Sequence, residues 1–204
     1  MFDFPDSEIA IKATRLVAET SPQFLYHHAI RAFLFGDALG KRDGLKYDRE
    51  LLYLGAIMHD LGLNDRFFGE QRFEVEGADV AHRFAIDNKL SDEKAEIIWD
   101  AIALHTTVGV ALRKRPEIAL VCLGTSADTA GRRIGDIGPE MVDRVVAEYP
   151  RLGFKKAATA LLVNYVKRNP KVVPFTWMSD LARTDPDVKC PTVQYIIESG
   201  PFSD

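Results

Sequence analysis

Two cysteines in 204 residues, Cys122 and Cys190, are too few for a disulfide framework, so a buried core has to hold the chain together. Cys122 lies in an apolar helical stretch, where a reduced thiol behaves as a small hydrophobe, and a reducing, cytoplasmic setting is the simpler expectation. Long apolar runs are also missing. No stretch approaches the ~18 residues of a membrane span, and Met1-Phe2-Asp3-Phe4-Pro5-Asp6 has neither the basic nor the apolar segment of a secretory leader. Charge of one sign is missing too: 26 Lys and Arg against 30 Asp and Glu leave a net charge of -4. Nothing global therefore points to nucleic acid or an anionic membrane as a partner. No Gly/Ser-rich linker, internal repeat or sheet-forming alternation is present. With 47% hydrophobic and 27% charged residues, the composition is that of a soluble globular protein. The expectation is one domain over residues 1–204, with a core spanning about residues 23–153 and C-terminal helices packed on it. No exposed face marks itself as an interface, and a homo-oligomer is left open.

What is present is helical periodicity. Ile9, Ala10, Ala13, Leu16 and Val17 share a face after Asp6 or Ser7, and Phe24, His28, Arg31, Phe35 and Leu39 share another. Val75 to Asn88, Ser91 to about His105, Pro116 to about Ala130, Pro139 to Tyr149 and Phe154 to Val166 repeat the pattern. Short helices are expected around Trp177 to Leu181 and Val193 to Ile197, after the breaks at Pro170 and Pro174. Gly40 to Tyr47 and Gly131 to Gly138 read as loops, and Asn64 to Arg72 as a partly buried loop over a site. The fold expected is an all-α bundle of roughly eight to ten helices.

The most informative stretch is Leu51-Leu52-Tyr53-Leu54-Gly55-Ala56-Ile57-Met58-His59-Asp60-Leu61-Gly62. It is an apolar helix with Asp48 as N-cap, ending in an adjacent imidazole and carboxylate before a glycine stop. A buried carboxylate beside a histidine is costly unless it is paired or binds a metal. The dipeptide alone fits a solvated helix end as well, so other residues must decide. His28 on an early helix and Asp128 on a later one complete a set of two imidazoles and two carboxylates. Such a set, His28, His59, Asp60 and Asp128, suits a divalent transition ion: zinc or iron first, with manganese, cobalt or nickel as alternatives.

A His on an early helix, a His-Asp pair ending a core helix and a distant Asp together resemble the HD-domain superfamily of metal-dependent hydrolases. The matching pieces are His27-His28-Ala29-Ile30-Arg31, Met58-His59-Asp60-Leu61-Gly62 and Ser126-Ala127-Asp128. The first contains two histidines; His28, directly before Ala29-Ile30-Arg31, occupies the matching position better than His27. Phe33-Leu34-Phe35-Gly36, Leu52 to Leu63, Arg72-Phe73-Glu74-Val75-Glu76-Gly77-Ala78-Asp79 and Ala101-Ile102-Ala103-Leu104-His105-Thr106-Thr107 are similar to the cyanamide hydratase branch. The resemblance implies an all-helical hydrolase or hydro-lyase with one catalytic ion on His28, His59, Asp60 and Asp128. It also implies activated water and a small-molecule substrate such as cyanamide or another nitrile. Asp60 and His105 are the expected acid-base or orienting groups, with Glu76 and Asp79 as supporting carboxylates; capping for His105 and surface ion pairs for Glu76 and Asp79 are the plainer readings. Two other functions fit the same ligands: a nucleotide phosphohydrolase and a non-catalytic helical domain tied together by its ion. No lysine closely follows Asp60, which departs from the His-Asp-x-Gly-Lys pattern of cyclic-dinucleotide phosphodiesterases.

Overall fold

The structure, a computed structural model, describes residues 2–199. Among them it has twelve α-helices and no strand: α1 (Glu8–Thr20), α2 (Gln23–Arg42), α3 (Arg49–Met58), α4 (Phe73–Asp87), α5 (Asp92–Ala103), α6 (Val108–Ala111), α7 (Pro116–Ala130), α8 (Ile134–Ile137), α9 (Pro139–Glu148), α10 (Phe154–Arg168), α11 (Met178–Arg183) and α12 (Val193–Glu198). The all-α expectation holds. The count exceeds eight to ten because α6 and α8 are single turns of four residues, too short to show a period in sequence.

Local chemistry sets the helix ends. Ser7 Oγ accepts from the Ala10 N–H, Asp48 from the N–H groups of Glu50 and Leu51, and Ser91 from Lys94. Pro116 and Pro139 open α7 and α9, where a missing N–H costs nothing. No described helix is long and apolar enough to cross a membrane.

In the main core α2 lies along α7 and α4 along α5, while α3 packs against α2, α5 and α7. Small residues make the α2–α7 crossing close. A Cβ on Gly124 would come within 2.0 Å of the Ala32 carbonyl oxygen, and one on Gly36 within 2.7 Å of that of Leu120. The α2–α3 pair is fixed at its other end by Asp37, which accepts from Lys41 Nζ (2.7 Å), Tyr47 Oη (2.8 Å) and Arg49 Nε (3.0 Å). Burial alone would raise the Asp37 pKa, but these three partners outweigh it and hold the carboxyl below its usual range. A second apolar cluster joins Leu25, Leu63 and Phe73 to Tyr165, Val166, Val173, Met178 and Ala182, so α10 and α11 cover one end of the main core.

Two outcomes follow. Gly124→Ala should lower the melting temperature by on the order of 5 °C, since forcing a methyl into a closed backbone contact costs about 1–3 kcal/mol; a thermal melt checks it. Asp37→Asn should cost about 2 kcal/mol at pH 7 in a urea titration. Because the folded carboxyl is depressed, that penalty is fully present above about pH 4 and fades as pH falls through the lower folded value.

Candidate metal centre

The metal-binding hypothesis rests on where α3 stops. Met58 is its last residue, His59 caps it in helical geometry, and Asp60 then turns into a short 3-10 helix, Leu61–Leu63. Gly62 is not a left-handed stop, as its place after the helix suggested. It is glycine because a Cβ there would lie 2.0 Å from the Phe73 carbonyl oxygen, so α4 seats directly on this turn.

His28, His59 and Asp60 form a group able to hold a metal ion. His28 Nε2 lies 3.2 Å from His59 Nε2; Asp60 Oδ2 lies 3.1 Å from His59 Nε2 and 3.8 Å from His28 Nε2. Such separations suit ligands placed about 2.0–2.2 Å from one ion. Tautomers decide the fit. His59 Nδ1 is 2.7 Å from the Ala56 carbonyl oxygen, which can only accept, so Nδ1 carries the hydrogen. His28 Nδ1 is 2.7 Å from the Asp128 carboxylate and is a donor for the same reason. Both Nε2 atoms therefore turn lone pairs toward each other and toward a carboxylate. Two buried imidazole acceptors and a largely covered carboxylate with no donor between them require a cation, a proton or a donor molecule.

The electrostatics carry the same signature. Burial would push the His59 pKa down, but the neighbouring Asp60 carboxylate outweighs it and raises it. Burial opposes ionisation of Asp60 too, yet His59, His28 and His105 hold its carboxyl far below the usual range. His28 goes down, chiefly through burial. A proton drawn to His59 beside an ionised Asp60 marks a position where positive charge is favoured.

His105 stands on the other side of Asp60. Its Nδ1 donates to the Ile102 carbonyl (2.6 Å), repeating the i−3 arrangement of His59, and its Nε2 lies 3.9 Å from Asp60 Oδ1. Burial and the nearby His59 hold His105 down at about 4, so it is neutral near pH 7 with a free lone pair on Nε2.

Asp128 does not join the donor group. Its carboxylate lies behind the His28 ring, taking Arg31 through Nε (2.7 Å) and Nη2 (2.8 Å), His28 Nδ1, and Arg151 Nη1 (2.7 Å). Burial would raise its pKa, but Arg31 and His28 keep it ionised. With both oxygens engaged, Asp128 orients His28 and neutralises the fully buried Arg31. Glu76 and Asp79 are not brought to the site either. Glu76 accepts from the Gln71 N–H, and Asp79 from Trp99 Nε1 on the outer side of α4. His27 points away from His28, with Nδ1 on the Pro150 carbonyl.

The α4 carboxylate that backs the site is Glu74, bonded to the cavity-lining Thr106 and Trp177. It is 0% exposed, accepts through Oε1 from Arg72, Thr106 and Trp177, and leaves Oε2 without a partner. It lies within electrostatic reach of His105. Its signal was in the sequence: Glu74, Gly77, Ala78, Ala81 and Ala85 form one buried stripe, so an acidic residue heads an inward face. Starting the helix at Val75 hid it.

A cavity of about 540 Å³ opens over His28, His59, Asp60 and His105. Its far walls are apolar and come from α10 and the second core cluster.

These positions separate by mutation. Asp128→Asn should cost about 3–5 kcal/mol because Arg31 loses its charge partner, and should weaken ion binding about 10- to 100-fold. His59→Ala should abolish ion uptake. Chemical denaturation and metal analysis of the purified variants measure both.

Comparison with known proteins places this geometry. No curated protein matches the chain. The family model for the HD domain matches residues 25–130, which takes in α2 through α7 and with them every group described around the ion site except Arg151 and Trp177. The chain belongs to the HD-domain superfamily of metal-dependent hydrolases.

Proposed function

We propose that this HD-domain protein hydrates cyanamide or a related nitrile, adding water across the carbon–nitrogen triple bond to give urea or an amide. One observation carries the reading: three acceptor atoms able to hold an ion share a cavity floor with His105, a neutral imidazole whose free Nε2 lies across Asp60 from them. The resemblance of Leu52 to Leu63, Arg72 to Asp79 and Ala101 to Thr107 to cyanamide hydratases supports the same chemistry.

His28, His59 and Asp60 would hold a divalent ion, which when bound would supply Lewis acidity to activate water near neutral pH and polarise a nitrile nitrogen. The chain supplies the rest. Asp60 faces the ion site with Oδ2 and His105 with Oδ1, so one carboxylate fixes the spacing between them. His105 accepts a proton from the attacking water and returns it to the nitrile nitrogen as the new carbon–oxygen bond forms. The 3.9 Å gap from Asp60 to His105 is too long for a direct hydrogen bond and leaves the His105 lone pair free. Asp128 and Ala56 hold the two imidazoles in the required tautomers.

A nucleotide phosphohydrolase needs cations around the phosphoryl oxygens. Among the described residues Lys155, on the exposed rim, is the one Lys or Arg lining this cavity, while Arg31 and Arg151 are committed to Asp128. An ion serving only to tie helices together would be closed by protein ligands. Three donors beside an open cavity favour catalysis instead.

The test is metal analysis of purified protein together with direct detection of urea from cyanamide. Wild type loaded with metal should form urea, and His59→Ala and Asp60→Ala should form none. His105→Ala should retain the ion while kcat falls by about 10²- to 10⁴-fold. Bound metal with no urea would reject the nitrile chemistry and bring nucleotide substrates forward.

A further inference from the structure

The cavity is far larger than cyanamide requires. Its volume of about 540 Å³ falls within the roughly 300–1,000 Å³ typical of sites that enclose drug-sized ligands. Beyond the ion site its surface is built by Leu25, Leu63, Phe73, Phe154, Leu161 and Leu162. Two of these, Leu161 and Leu162, are only partly buried, so they present apolar area that a ligand would cover.

The polar part of the wall has a fixed sense. Thr125 and Ser126 each donate their hydroxyl hydrogen to the Cys122 carbonyl, Thr129 to that of Thr125, and Thr159 to that of Lys155. A carbonyl oxygen cannot donate, so every one of these hydrogens is spent within its own helix and only lone pairs are left for the cavity. Thr106 is spent in the same way on Glu74, and Trp177 Nε1 donates there as well. Inside the rim the wall thus accepts hydrogen bonds and offers few, and the donor that the described lining adds is Lys155 at the exposed rim. Such a lining suits a ligand bearing N–H groups and repels one that presents only acceptor oxygens, as a phosphate ester does.

Resting on the nitrile-hydrating reading of this site, we infer that the substrate is a substituted cyanamide or nitrile whose apolar group fills the Leu25–Phe73–Phe154–Leu162 end of the cavity and whose N–H groups meet the threonine and serine lone pairs. For a monosubstituted cyanamide the reaction balances with water alone. The water oxygen bonds to the nitrile carbon, the triple bond is reduced to a single one as the carbonyl forms, and both water hydrogens end on the former nitrile nitrogen. The product is an N-substituted urea, richer still in N–H donors.

Calorimetric binding of phenylurea, urea and phenyl phosphate to the purified full-length protein tests the ligand class without turnover. Phenylurea should bind about 30- to 100-fold more tightly than urea, as expected for burying one phenyl group, and more tightly than phenyl phosphate. Ala158→Phe, which fills the apolar end, should shrink the phenylurea-to-urea ratio at least threefold, and Leu162→Asn should do so if that variant does not fold. Equal binding of phenylurea and urea, or tighter binding of phenyl phosphate, overturns the inference. Turnover of phenylcyanamide and cyanamide separates it from the function it rests on. A phenylurea preference without turnover of either compound supports the ligand class and rejects nitrile hydration, whereas urea formation with no phenyl preference keeps hydration and rejects the substituted substrate.

Discussion

The structure depends on a local imbalance: with both rings neutral, two imidazole lone pairs and a carboxylate oxygen are packed within 3.8 Å of one another with no hydrogen among them. Each imidazole is prevented from relieving it. His59 is locked from behind by its own helix through the Ala56 carbonyl, and His28 by Asp128. Rotating either ring would exchange one acceptor problem for another, because the group behind it also needs a donor. The burial that makes the cluster unfavourable when empty of positive charge makes it a strong site when charge is supplied.

Much of the remaining architecture can be read as support for that imbalance. Arg31, one turn from His28 on α2, is buried with Asp128, and Arg151 closes the same carboxylate from the middle of the α9–α10 connection. This network fixes Asp128 and through it the His28 ring. The glycine contacts between α2 and α7 bring the two backbones close enough for it to form. Burying an arginine and an aspartate would contribute little to stability by itself. Here the pair sets an orientation, the use for which such pairs are best suited.

The sequence disclosed the helices and the centre of the site more readily than its surroundings. The α3 pattern is legible because an apolar helix that ends in His59-Asp60 combines strong periodicity with residue types that periodicity alone would not bury. His105 stood out for a similar reason. The placement of Asp128 was not legible. Sequence shows that a carboxylate follows an apolar stretch, but whether it turns to an ion or to Arg31 depends on the packing of α2 against α7. Starting α4 at Val75 left Glu74 outside the helix, so its place on the buried face could not be read; Glu76, two residues further on, is turned from it by about 200°. The cavity walls were illegible for another reason. Much of their surface comes from α10, with Trp177 just before α11, distant in sequence from the motif and marked only by ordinary side chains.

The seating of α4 on the turn after Asp60 is a contact between main chains: Gly62 meets the Phe73 carbonyl, and Gly77 lies beside the Gly62 nitrogen. No side chain acts as a shim between them. The distance from the ion-binding turn to the aromatic wall at Phe73 is therefore set by backbone thickness, which side-chain replacement hardly alters. Substitutions along α10 can widen or narrow the chamber, but its depth behaves as a fixed gauge. Related chains that keep both glycines should differ in the girth of what they accept more readily than in its length.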